Sequence, residues 1–165
     1  MMEKFKPLPA GRNHQCFGCS PINTAGLKMK FATDGESVVS SLTVPGHLCG
    51  WDNLVHGGVI ATILDEIMSW AAIHLLKKII LTKSISVEFV KPVVIGKMLT
   101  VKGRVIAVKS KREALMEGVI TNDRNELCAR SQGTFVLFTA EVAERLNMMD
   151  AEALKTFMGI IEGSP

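Results

Sequence analysis

The sequence predicts an α+β fold in which a curved antiparallel sheet of about six strands wraps around one long central helix. Residues 53–76 carry apolar side chains at helical spacing over about four turns, which is typical of a buried helix. Six other segments have the length or the alternating pattern of strands. Because one helix cannot cover both faces of a six-stranded sheet, a sheet curved around the helix is the simplest arrangement.

Composition and charge exclude several classes of protein. The chain has 165 residues, of which 47% are hydrophobic and 21% charged, and its formal net charge is +3. This mild charge permits an anionic small molecule, but nucleic-acid binding usually needs a concentrated basic stripe. The N-terminal residues lack the apolar core of a signal peptide. The longest apolar segment contains His, Asp and Glu, so we expect no membrane span and a cytoplasmic protein with reduced cysteines.

Two strands are predicted before the helix and four after it. In the first strand, apolar residues alternate with lysines, and in the third they alternate with serines. Such alternation favours an antiparallel sheet with one covered face. The predicted strands are 27–31, 38–44, 79–90, 97–110, 112–121 and 126–138.

The ends of the chain differ from its centre. We predict an N-terminal arm at 1–20, because prolines and a glycine interrupt it, and a domain at 21–140. Residues 141–165 form a predicted helical C-terminal tail, with a break near Asn147 and with Asp150 as a candidate N-cap.

The predicted start of the central helix is suited to binding an oxygen atom. Gly57 and Gly58 have no side chains, and the first amides of a helix have no partner within the helix. These amides and the helix dipole favour an oxygen with partial negative charge. Further along, Asp65 and Glu66 border the two edges of the apolar face, where an acid is costly unless it is paired or functional.

His56 and Asp65 cannot meet within one chain. Nine residues separate them, which corresponds to roughly 13–14 Å of helical rise, and they point to opposite sides of the helix. If both serve one site, a second copy of the chain completes it. We therefore expect a homodimer, with a dimer of dimers as the alternative.

Cys16 and Cys19 form a Cys-x-x-Cys pair close to His14. The pattern is compatible with zinc, but a structural zinc site needs four ligands, and Cys49 and Cys128 do not form a second pair. A redox pair lacks a thioredoxin-like context here. We therefore predict that these cysteines brace a loop, and we expect no metal and no other cofactor.

The central motif resembles that of the hotdog-fold thioesterases, in particular the small PaaI-like acyl-CoA thioesterases. The resemblance covers about 16–138 and implies the hotdog fold and hydrolysis of an acyl-CoA to free acid and coenzyme A. Two further segments, 16–27 and 82–92, are similar to stretches ahead of the family's domain and after its helix. The matching motif is Asn53-x-x-His56-Gly57-Gly58, followed by Asp65 after six residues.

The resemblance implies a role for each matching residue. Gly57 would donate its backbone N–H to the thioester carbonyl oxygen, and Asp65 of the partner subunit would act as general base or nucleophile. Asn53 and His56 match positions that orient the carbonyl or the water. Thr82 matches a position whose hydroxyl helps to hold the attacking water.

Other residues are candidates for substrate binding. Gly58 shares the helix start, Ser84 is a second hydroxyl, and Glu66 is a second acid beside the first. Lys109 and Arg112 could hold coenzyme A phosphates by charge, although a solvated hairpin turn needs no function.

Simpler roles and other functions stay open. His56 could only cap the helix, and Asn53 could only form a turn. A hotdog hydratase or dehydratase would also use a histidine and an acid from paired subunits, and a non-catalytic acyl-CoA-binding protein would need no turnover. The absence of a G-x-S-x-G motif argues against a serine hydrolase.

Overall fold

One long helix, α1 (Gly57–Leu76), packs against a seven-stranded antiparallel sheet that wraps around it. The structure, a computed structural model, describes residues 5–9 and 14–163. Predictions for the remaining residues of the arm and the tail lie outside this range. The predicted α+β fold is confirmed, with seven strands instead of about six.

The strands lie along the sheet in the order β1-β2-β3-β7-β8-β9-β6, and a separate two-stranded ladder joins β4 to β5. A short 3₁₀ helix at Gly46–Leu48 precedes that ladder. The strands are β1 (Lys6–Pro7), β2 (Ala32–Thr33), β3 (Val38–Thr43), β4 (Cys49–Trp51), β5 (Leu54–Val55), β6 (Ile79–Phe89), β7 (Met98–Ser110), β8 (Glu113–Thr121) and β9 (Leu127–Phe138).

Helix α1 forms the centre of the core. Its side chains at Ile63, Leu64 and Ile67 are fully buried, as the helical spacing predicts, and burial stabilises each by about 1.5–3 kcal/mol. By length and hydropathy alone α1 could cross a membrane, but more than half of its apolar window is covered by the rest of the domain, as in the core helix of a globular protein. Gly103 permits the close packing, because a Cβ there would lie 2.6 Å from the Ile67 carbonyl oxygen.

The first predicted strand, 27–31, is wrong. Its backbone N–H groups at Leu27 and Met29 donate to carbonyls of the loop 16–19 instead of to another strand. Lys28 has a φ of 53°, which interrupts an extended ladder. The side chains still alternate between buried and exposed, so the pattern was correct but the pairing was not.

The sheet gains short strands that carry no sequence pattern. Lys6–Pro7, within the predicted arm, pairs with Ala32–Thr33, which in turn pairs with the start of β3. By contrast, the four long strands after α1 begin and end within one residue of their predicted bounds. Length and periodicity explain the difference, because a two-residue strand has no alternation to detect.

Strand β6 forms an edge of the sheet, with β9 as its one neighbour. The alternating pattern predicts that one face of this strand is covered. Within a single chain this prediction is wrong, because α1 lies mainly over β7 and β8. Large apolar side chains therefore remain exposed on β6: Leu81 by 51%, Ile85 by 37% and Phe89 by 55%. An eleven-residue edge of this kind is a template for pairing with another strand.

The C-terminal tail is helical, with the predicted break. Helix α2 (Ala140–Arg145) ends before Asn147, whose φ is 51°, and α3 (Ala151–Glu162) follows. The Asp150 carboxylate caps α3 by accepting the Ala153 N–H at 2.7 Å. Lys77, at the end of α1, donates to the Ile161 carbonyl, which fixes α3 against the central helix.

Candidate active site

The start of α1 presents an unused backbone donor. His56 is the N-cap, and its Nδ1 accepts the Gly58 N–H at 2.9 Å, so the capping role considered for this residue is present. The His56 carbonyl accepts the first helical bonds, from Val59 and Ile60. None of the hydrogen bonds found within 5–9 and 14–163 uses the Gly57 N–H, and Gly57 is exposed. An external acceptor can therefore reach this amide.

Gly57 lies beside the far end of β6. A Cβ built on Gly57 would be 3.6 Å from the Phe89 Cζ, which is ordinary van der Waals contact. The helix start and the last residue of the edge strand thus share one exposed surface.

Asp65 lies beside the other end of β6. Its Oδ1 accepts a hydrogen bond from the Thr82 Oγ1 at 2.7 Å. Burial raises the pKa of Asp65, and the Thr82 hydroxyl opposes that change. The ladder between β6 and β9 shifts register between Thr82 and Ser84, and such bulges redirect side chains at the edge of a sheet. The pair can hold a water molecule for attack.

Gly57 and Asp65 remain apart within one chain. They are eight residues apart on α1, about 12 Å of rise. Gly57 lies beside the Phe89 end of β6, and Asp65 accepts a hydrogen bond at the Thr82 end. The predicted need for a second copy is therefore consistent with the geometry of a single chain.

The remaining predicted residues lie on the surface. Asn53 is exposed, and its carbonyl accepts the Ile95 N–H at 2.9 Å, which fits the turn role. Lys109, at the end of β7, and Arg112, in the turn before β8, are exposed, and the Lys109 Nζ is 3.9 Å from the Glu113 Oε1. This turn lies near the start of β6, since Lys83 also pairs with Glu113.

Glu66 lies on the opposite edge of α1 from Asp65. Its carboxylate oxygens are 3.6 and 3.7 Å from the Cys16 Sγ, and its Oε1 accepts the Trp70 Nε1–H at 3.2 Å. The predicted grouping of Glu66 with Asp65 on the substrate side therefore lacks support from these contacts. The spacing of Glu66 and Trp70, four residues apart on a helix, already placed them on one face.

Glu66 is partly buried and lies beside two thiols. Burial raises the pKa of Glu66 to about 7. The hydrogen bond from the Cys19 thiol lowers the pKa of Cys16 to about 5, and the same contact, with burial, raises the pKa of Cys19. These groups border a cavity of about 730 Å³ between α1, α3 and the loop 14–19. Apolar side chains dominate the rest of the lining: Trp70, Ile73, Met149, Phe157 and Ile160.

Comparisons with known proteins agree with this fold. The sequence model of the Thioesterase superfamily matches residues 52–129. A solved thioesterase superfamily protein is 24% identical to this chain, with a TM-score of 0.68. The match covers 78% of this chain and 69% of that protein. PaaI of the Escherichia coli phenylacetic acid degradation operon is 18% identical to this chain, with a TM-score of 0.61. The match covers 68% of this chain and 81% of PaaI.

A third similar structure contains a ligand. It is a hypothetical thioesterase with coenzyme A from Streptococcus pneumoniae, 22% identical over 63% of this chain and 80% of its own, with a TM-score of 0.59. A comparison with curated proteins gave no match.

Proposed function

We propose that the protein hydrolyses the thioester bond of an acyl-CoA, because residues 52–129 match the sequence model of the Thioesterase superfamily and the chain has the hotdog fold. The match to this family model supports thioester hydrolysis in general. Coenzyme A as the thiol part is supported by the similar structure that contains it. A cytoplasmic location, where thiols stay reduced, belongs to the same proposal.

The observation that carries the proposal is the 2.7 Å hydrogen bond between Thr82 and the partly buried Asp65 carboxylate. In our proposal Asp65 removes a proton from a water that the Thr82 hydroxyl helps to hold, and this water attacks the thioester carbon. The Gly57 N–H stabilises the negative charge that develops on the carbonyl oxygen. Collapse of the tetrahedral intermediate expels the coenzyme A thiolate, which takes up the proton, and leaves the free acid.

A homodimer would complete this site. If two copies of β6 pair antiparallel across a two-fold axis, the Phe89 end of one strand faces the Thr82 end of the other. Because Gly57 lies beside Phe89 and Asp65 accepts a hydrogen bond from Thr82, this pairing would move Gly57 of one protomer towards Asp65 of the partner subunit. The exposed apolar side chains of β6 and its unpaired edge favour such an interface.

A panel of acyl-CoA substrates tests the proposal. Free coenzyme A should be measured by chromatography, because the exposed Cys16 and Cys49 would react with a thiol reagent. We expect multiple turnovers of at least one acyl-CoA and a loss of that turnover in Asp65→Asn. Water addition to an enoyl-CoA, or tight binding of acyl-CoA without release of thiol, would replace the proposal with the hydratase or the binding protein.

A further inference from the structure

Three ligand-type side chains converge on the edge of α1 that the thioester chemistry does not use. One atom from each of Cys16, Cys19 and Glu66, the two sulfurs and a carboxylate oxygen, lies within 4.8 Å of the others. We propose that these three residues form a zinc site. The site is separate from the proposed hydrolysis and does not depend on it.

The loop that carries the two cysteines is held in a fixed turn. The Ser20 N–H donates to the Cys16 carbonyl at 3.2 Å, and the Met29 N–H donates to the Gly18 carbonyl at 3.0 Å. A Cβ at Gly18 would overlap the Glu66 carboxylate. Glycine therefore permits the loop to pack directly on α1, which brings both sulfurs to the acid.

Trp70 holds the third ligand in place. Its Nε1–H donates to the Glu66 Oε1 at 3.2 Å, and its ring stacks on Phe31 with the centroids 4.7 Å apart. Hydrogen bonds of this kind to a ligating carboxylate orient it and are a usual part of metal sites. The other carboxylate oxygen stays available for a metal.

The distances fit zinc. Tetrahedral zinc binds thiolate sulfur at about 2.3 Å and carboxylate oxygen at about 2.1 Å, so two such ligands are about 3.6 Å apart. The Cys16 Sγ lies 3.6 and 3.7 Å from the two Glu66 oxygens. Cys16 and Glu66 therefore already have the spacing that a shared zinc ion requires, and the Cys19 sulfur lies within 4.8 Å of both.

Charge also favours a cation. Two thiolates and a carboxylate would carry three negative charges within a few ångströms of one another, and a bound cation relieves their repulsion. Glu66 takes part in none of the five ion pairs found within 5–9 and 14–163. Thiolate ligands select soft or borderline ions such as zinc over magnesium and calcium.

The site provides three protein ligands and one open position. All three ligands line the cavity of about 730 Å³, which has room for a water molecule as the fourth ligand. Three protein ligands with an exchangeable fourth are typical of zinc sites that bind a further group. Cys16 and Cys19 are close in the sequence but Glu66 is not, so sequence spacing alone predicts that the cysteines brace a loop.

Metal content of the full chain tests the proposal without any substrate. The reduced protein is stripped with a chelator, incubated with Zn²⁺, desalted and assayed by mass spectrometry of the metal. We expect about one zinc per chain in the wild type and in the control Cys49→Ser, whose thiol is exposed and outside the cluster. The zinc content should fall to background in three variants, Cys16→Ser, Cys19→Ser and Glu66→Gln. Circular dichroism should show that each variant keeps the native fold.

Cobalt identifies the ligands directly. Replacing zinc by Co²⁺ should produce thiolate-to-cobalt charge-transfer absorption in the wild type and in Cys49→Ser, and none in Cys16→Ser. Trp70→Phe keeps a ring against Phe31 but removes the hydrogen bond to Glu66, so zinc affinity should fall about tenfold. The zinc site would be overturned if the wild-type protein retained no zinc, or if the cluster variants retained as much zinc as Cys49→Ser. Either result would leave the thioesterase proposal intact.

Discussion

Asp65 and Glu66 are neighbours in the sequence but belong to different environments. Both are acids on α1, and burial raises the pKa of each. Asp65 faces a hydroxyl at the open edge of the sheet, whereas Glu66 faces two thiols and an indole beside a cavity. A rotation of about 100° per helical residue separates these surroundings. The angular position on the helix, more than the residue type, therefore determines what each acid can do.

The largest expected effect separates the two acids. Asp65→Asn keeps the side-chain volume but cannot accept a proton from water, so kcat should fall by about 10²–10⁴. Glu66→Gln, the matched change on the other edge of α1, should lower kcat much less. Steady-state kinetics with an acyl-CoA substrate measure both. A larger loss in Glu66→Gln than in Asp65→Asn would reverse the assignment.

The next effect tests the donor at the helix start. Gly57→Pro removes the N–H while keeping the helix, because proline is favoured at the first helical position and His56 already has the extended conformation required before proline. Loss of one oxyanion donor should lower kcat by about 10²–10³. Gly57→Ala is the control, since its Cβ meets Phe89 at an ordinary distance and the N–H remains. Equal losses in both variants would indicate crowding instead of a lost hydrogen bond.

A smaller effect tests the hydroxyl that holds Asp65. Thr82→Val removes a hydrogen bond to a charged group, which is worth about 1.5–3 kcal/mol, so kcat should fall roughly tenfold or more. Thr82→Ser keeps the hydroxyl and should stay close to the wild type. If Val and Ser give the same rate, the hydroxyl has no part in the reaction.

The smallest effect concerns the basic turn between β7 and β8. The double change Lys109→Ala and Arg112→Ala should raise KM for an acyl-CoA by no more than about threefold, because exposed charges interact weakly through water. Added salt should reduce the difference. A truncated thioester without the nucleotide phosphates is the control and should show no change. A similar rise in KM for that substrate would argue against phosphate binding.

Periodicity explains which elements were predictable. Helix α1 and the four strands after it repeat their pattern over nine or more residues, and the structure confirms them. The strands at Lys6–Pro7 and Ala32–Thr33 are too short to show a pattern. The positive φ of Lys28 is also invisible in an alternating segment, because alternation reports only burial.

The two clusters on α1 were predictable to different degrees. The motif from Asn53 to Asp65 is local, so its resemblance to a family could be read directly from the sequence. The pair Cys16 and Cys19 was visible, but its third partner, Glu66, follows almost fifty residues later. Only the packing of the loop on α1 brings them together.

The most direct test of a site shared between subunits is mixing two inactive variants. Asp65→Asn and Gly57→Pro are co-expressed with different tags, and the mixed dimers are isolated through both tags. In a mixed dimer with shared sites, one site carries both changes and the other carries neither, so kcat per dimer should recover to about half of the wild type. Mixed dimers as inactive as the two parent variants would show that Gly57 and Asp65 act within one chain or not at all.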